Sequence, residues 1–224
     1  MADERRREWA FELSRQLGAE IVWDQKRDVW DTRKRSLQAG FGSHVLIVQD
    51  DGVLSEGFEE SVNALVEYSG DHPVGLFVRG PRARGAIRMG VESWWVGSGP
   101  DQNVATVFPM SQVPDLIKWG DSRRHLHADD PRIRGFYAEA HIDCWYTVPS
   151  LVDHRGDESL ISRKAPNRRA ELFGSGLTVD WSIPPTIIDK HTLNPVVWLE
   201  KDGARRTVRR FTKTWERMVA AGWK

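Results

Sequence analysis

The chain has 224 residues, 40% of them hydrophobic, enough to bury a core without disulfides or metal staples. Its 32 Lys and Arg balance 32 Asp and Glu, which excludes a histone-like polycation and an acidic disordered tail but leaves room for local charge. A single cysteine, Cys144, cannot form an internal disulfide. The expected home is the cytosol, since no window reads as a signal peptide or a membrane span.

In chain order, Trp9, Leu13 and Leu17 recur at helical spacing and Gly18 ends that helix; Ala19 to Trp23 reads as a short strand. Asp31 is a candidate N-cap for a helix over 32–39, closed by Gly40. The apolar run Val45 to Val48 predicts a central buried strand, ending abruptly in Gln49, Asp50, Asp51 and Gly52. Ser55 can cap a helix carrying Phe58, Val62, Leu65 and Val66, and Val74 to Val78 reads as the next strand. Arg79 to Gly90, rich in Arg and Gly and free of acids, predicts a basic mobile loop.

Further on, 94–97 and 103–108 read as extended, Val113 to Trp119 as a short helix, and a helix is expected to start near Asp130 and Pro131. Cys144 to Val148 predicts a strand leading into Pro149 to His154. The end of the chain reads as a basic amphipathic helix with Val208, Phe211, Trp215 and Met218 on one side. Strands alternating with helices over the first 150 residues predict an α/β fold, a mostly parallel sheet flanked by helices. The predicted division is a domain over 1–160 and a basic C-terminal extension, helical or irregular, over 161–224.

Ligands in open α/β sheets collect at the carboxyl ends of strands, where Asp50 and Asp51 fall. Adjacent carboxylates there can hold a hard divalent cation, Mn or Mg, that in turn holds a diphosphate. The plainer reading is that Asp-Asp-Gly only turns the chain.

The stretch from Asp31 through the end of the helix after Gln49-Asp50-Asp51 resembles the core of GT-A fold glycosyltransferases, closest in style to the lipopolysaccharide-type family. Together with Tyr146 to Arg155 (YTVPSLVDHR), it also resembles glycosyltransferase-like proteins of actinobacterial phages. The resemblance covers residues about 20 to 165 as an order and spacing of elements. It implies a Rossmann-like GT-A domain that transfers a sugar from a nucleotide-sugar donor, with Asp51 as metal ligand, Asp50 as its support and His154 as a metal or diphosphate contact. Gln49 stands where the lipopolysaccharide-type family has an acid, and can hydrogen-bond a ribose. Asn103 stands where the phage-type block has a glycine beside the sugar. GT-A domains open on a nucleotide-binding strand, whereas this sequence opens on a charged helix: either that first strand is missing or the sheet closes differently.

Sugar transfer also needs positive charge at the leaving diphosphate and a base for the acceptor hydroxyl. Arg33, Lys34, Arg35 and Arg155 are candidates for the first role; Asp129 and Asp130 for the second. Asp130 before Pro131 is equally explained as a helix N-cap. The acceptor is left open among modified DNA, protein and other glycans.

Charge counted by segment opens an alternative. Residues 1–78 carry nine Lys or Arg and fifteen Asp or Glu, whereas 201–224 carry eight and two. That basic end, with Arg163, Lys164, Arg168 and Arg169, could bind nucleic acid, either as a plain binding module or within a phage enzyme that glycosylates DNA bases. A third reading is a degenerate, non-catalytic transferase-like protein.

Overall fold

The computed structural model describes residues 4–97, 99–100, 102–155, 169–187, 196–209 and 213–224. The fold is mixed α/β. Helix α1 (Glu4–Leu17) is followed by α2 (Val29–Ala39), β1 (His44–Val48), β2 (Gly52–Leu54), α3 (Phe58–Ser69) and β3 (Val74–Gly75). Then come α4 (Pro81–Arg88), β4 (Trp94–Gly97), β5 (Ala105–Pro109), α5 (Val113–Ser122), α6 (Asp129–Glu139), β6 (Cys144–Thr147) and β7 (Val152–His154). A hairpin of β8 (Val196–Lys201) and β9 (Ala204–Arg209) precedes the last helix, α7 (Lys213–Ala220).

The main sheet has the order β1-β5-β3-β6-β4, and β2 pairs separately with β7. Only β3 and β6 are parallel neighbours; β1–β5, β5–β3 and β6–β4 are antiparallel. The expected mostly parallel sheet is therefore corrected to a mostly antiparallel one. The cause is topological. β1, β3 and β6 do run in one direction, as helix-linked strands should, but β5 inserts between β1 and β3 and runs the other way, and β4 closes the edge beyond β6.

Both sheet faces are covered. Trp30 and Leu37 of α2, Leu116 of α5 and Ile133, Phe136 and Tyr137 of α6 pack with Val45, Ile47 and Phe108 on one face. Phe58 and Leu65 of α3 join Val74, Phe77, Val107 and Trp181 on the other. Trp181 packs against Trp94, so residues after 168 contribute to the same core.

Several local expectations change. Residues 19–23 are not a strand: they have no pairing partner and stay mostly open to water. Asp28, not Asp31, caps α2, accepting from the amides of Trp30 and Asp31. Gly57, with a left-handed φ of 63°, precedes α3 where Ser55 was expected to cap. The predicted basic loop over 79–90 is largely α4: Pro81 opens it and Ala83 and Ala86 are buried, which arginine-rich composition conceals. Asp129 and Asp130 lie in the first turn of α6, whose N-cap is Ala128. The C-terminal helix shrinks to α7, because Val208 belongs to β9. Phe211 and the cluster of Arg163, Lys164 and Arg168 fall outside the described residues. Among the described residues, no helix is long and apolar enough to cross a membrane.

Candidate functional site

The carboxyl end of β1 is a turn. The Gln49 amide donates to Val104 O at 2.7 Å, extending the β1–β5 ladder by one residue, and the Gly52 amide closes back on Gln49 O at 2.9 Å. A Cβ on Gly52 would lie 2.8 Å from Val48 Cγ1, so the tight turn needs this glycine. The turn aims Asp51 inward, and the protein buries it to 3% exposure.

β2 then carries the chain to β7, with Gly52 opposite His154. That register sets His154 Nε2 3.0 Å from Asp51 Oδ2, and the Arg155 amide donates to Asp51 O at 2.9 Å. The two residues that the resemblance assigns to metal thus meet in space. Asp153 secures the strand end from behind: its Oδ1 accepts the amides of His154 and Ala170, and its Oδ2 pairs with Arg169 at 2.8 Å.

A residue that no sequence motif singles out completes this centre. Arg6 of α1 bridges both carboxylates, with Nη1 2.6 Å from Asp50 Oδ1 and Nη2 2.8 Å from Asp51 Oδ2. On the same side of α1, Glu12 pairs with Arg155 at 2.6 Å, and the Arg155 guanidinium lies over the Trp9 ring at 5.1 Å. Their spacing along α1 repeats every three residues, which puts Arg6, Trp9 and Glu12 on one helix stripe. Only that stripe's periodicity is visible in sequence, not its target.

The titration directions follow. Burial pushes the Asp50 carboxyl upward, reinforced by the neighbouring charge of Asp51, and Arg6 only partly offsets this. Burial is also the largest influence on Asp51 and acts upward, but the His154 hydrogen bond and the Arg6 charge together outweigh it. Asp51 is therefore held below the ordinary carboxylate value. Asp51 Oδ1 is buried without a hydrogen-bond partner among the described residues.

The remaining candidates form a second cluster where β5 begins. Arg33 Nε pairs with Asp129 Oδ2 at 2.8 Å, and its Nη2 donates to Asn103 O at 3.0 Å. The Asn103 side-chain amide donates to Asp130 Oδ1 at 2.7 Å. Burial, then the neighbouring Asp129 charge, raises Asp130, against the hydrogen bond from Asn103 and the charge of Arg33. Arg33, Asn103, Asp129 and Asp130 are thus brought together. Lys34 and Arg35 are not: Lys34 reaches Asp121, and Arg35 holds Asp31 and Trp23 O. Successive residues of one helix turn point in different directions, so only one of the three basic side chains can face the cluster.

Among the described residues, no three His, Cys, Asp or Glu side chains converge as a ready metal cage. The donor set still fits a cation that brings its own partners. Asp51 and His154 supply an oxygen and a nitrogen, and the unpartnered Asp51 Oδ1 is an acceptor without a donor; a diphosphate and water would supply the rest. No protein-family model matches the chain, and no curated protein matches it.

Proposed function

We propose that the protein is a glycosyltransferase that moves a sugar from a nucleoside-diphosphate donor to an acceptor hydroxyl, and that its relationship is to the GT-A type. The observation that carries this reading is the meeting of Asp51 and His154 at the carboxyl ends of the co-directed strands β1, β3 and β6. A diphosphate-bearing donor suits that end of an α/β sheet. A divalent ion, held by Asp51 and His154 when bound, would neutralise charge on the leaving diphosphate.

The chain's own groups do the rest. Arg155 follows His154, and its Nε, buried and without a hydrogen-bond partner among the described residues, is a donor for a departing phosphate oxygen even though Glu12 shares the guanidinium charge. Asp130, half-buried and with a raised proton affinity, is suited to take a proton at Oδ2 while Asn103 fixes Oδ1. As the acceptor oxygen bonds to the anomeric carbon, the carbon–oxygen bond to the diphosphate breaks, the nucleoside diphosphate leaves with the electron pair, and the acceptor proton passes to Asp130. Asp129 takes no proton in this scheme, because Arg33 already holds it.

The test is a panel of UDP-, GDP- and other nucleotide sugars with Mn²⁺, read as release of free nucleoside diphosphate by the full chain. Release with one donor, lost by at least about 100-fold in both Asp51→Asn and Asp130→Asn, is expected. Undiminished turnover in Asp51→Asn would overturn the assignment of this centre, and no release from any donor would overturn the reaction.

A further inference from the structure

The most unusual feature of the acidic centre is that a guanidinium already fills it. Arg6 reaches Asp50 and Asp51 with separate nitrogens, at 2.6 and 2.8 Å, and on Asp51 it takes Oδ2, the same oxygen that His154 meets and that an ion held by Asp51 and His154 would need. A guanidinium and a divalent cation cannot both sit there, since like charges a few ångströms apart repel strongly even in a partly aqueous site.

Arg6 also leaves the centre incompletely satisfied. Asp51 Oδ1 stays buried and without a donor among the described residues, in a side chain only 4% exposed. A purely structural ion pair has no use for such an acceptor, because an unmet buried oxygen costs stability. A ligand that reaches deeper than the guanidinium would meet it.

The helix that brings Arg6 is held apart from this contact. Ala10 and Leu13 are buried at 8% and 5% exposure, and Glu12 is tied to Arg155, so α1 keeps anchors other than Arg6. The Arg6 side chain is 22% exposed and has water to swing into. Glu12, the acid on the same helix stripe, is already engaged by Arg155 and so does not hold the displaced guanidinium.

We propose that Arg6 is a built-in counter-cation: it occupies the Asp50–Asp51 centre until a divalent ion displaces it, so that α1 sets how tightly the centre takes metal. This rests on the metal-dependent reading given above and adds a regulator to it. When the ion enters, Arg6 releases both carboxylates and becomes a free positive charge at the mouth of the site, where the incoming diphosphate carries its negative charge. The exchange keeps the centre close to neutral in both states and disfavours a bare ion without its phosphate.

The experiment is Mn²⁺ binding to the full chain by calorimetry, with no nucleotide sugar, for wild type, Arg6→Lys, Arg6→Gln and Arg6→Gln combined with Asp51→Asn. If Arg6 holds the centre about nine-tenths of the time, its removal tightens Mn²⁺ binding about 10-fold. Arg6→Lys, which keeps the charge but not the two-pronged contact, falls between wild type and Arg6→Gln. The double variant loses the tight binding. Equal affinity in wild type, Lys and Gln variants overturns the counter-cation and leaves the metal reading standing. Absence of Mn²⁺ binding in all of them overturns both. Tight binding that survives in the double variant overturns the placement of the ion at Asp51. If Arg6→Gln does not fold, the Lys variant alone decides: no tightening overturns the proposal.

Discussion

Arg33 and Asp129 form an ion pair, 2.8 Å from Nε to Oδ2, in which the side chains are only 6% and 8% exposed. The same guanidinium donates to Asn103 O and so ties α2 to the start of β5 and the first turn of α6. Removing one partner of a pair so far from water leaves the other uncompensated. Arg33→Met is expected to lower unfolding free energy by about 3–5 kcal/mol and Arg33→Lys, which keeps charge but loses the planar fork, by about 1–3. Urea denaturation measures both. A loss under about 0.5 kcal/mol in Arg33→Met would show that water reaches the pair.

Asp130 behaves in the opposite sense. Its carboxyl is raised above the ordinary 3.8, so the folded state binds the proton more readily than the unfolded chain. The stability this contributes is fully present below 3.8 and is lost as pH rises through the folded value. At neutral pH the ionised group is a liability. Asp130→Asn is therefore expected to raise the melting temperature by about 2 °C at pH 7 and to give no gain near about pH 3. It loses transfer in the same sample, which separates a residue kept for chemistry from one kept for stability.

Tyr146 lies flat over the sheet, opposite both Gly75 and Trp95 in the strand register. A Cβ on Gly75 would come within 2.7 Å of its ring and one on Gly97 within 2.7 Å of the other side. The ring cannot yield, because it stacks on Trp95 at 4.5 Å and its hydroxyl donates to Gly99 O at 2.5 Å. Gly75→Ala is expected to cost about 1–3 kcal/mol by overpacking, and Gly75→Ala combined with Tyr146→Leu to recover part of it. Thermal unfolding of the two variants is the check.

Asp51→Asn removes the charge shared by His154 and Arg6, although Asp50 still holds Arg6. A stability loss of about 1–3 kcal/mol is expected by denaturant unfolding, with α1 amides exchanging faster than in wild type. Unchanged exchange in α1 would mean that Arg6 does not help to hold the helix.

The placement of Asp50 and Asp51 was legible because a uniformly apolar run that stops at acidic residues and glycine can hardly be anything but a buried strand meeting a turn. The helices α1, α3 and α6 were likewise visible in their apolar spacing, and α2 and α5 in the cap, glycine and proline residues that bound them. Sheet direction was not. Alternation along the chain tells which strands run alike, but β5 takes its place between β1 and β3 through contacts made far away in sequence. The α4 helix was hidden because its buried side is made only of two alanines and a glycine. The meeting of Asp51 with His154 was anticipated only through family resemblance, since nothing in either segment encodes the β2–β7 pairing. Arg6 was illegible altogether: one arginine among three consecutive ones differs from its neighbours only by where the helix happens to point.

β3 consists of Val74 and Gly75 alone, yet it joins β5 on one side to β6 on the other. Asp50, Asp51 and Asn103 hang from the β1–β5 side of that joint, and the chain leading to His154 hangs from the β6 side. The two halves of the candidate site are therefore joined through a two-residue seam as well as through the β2–β7 pairing, and a slip at the seam would shift Asn103 relative to His154 without unfolding either half. Substitutions that stiffen this seam would act on the spacing of the two clusters from outside both of them.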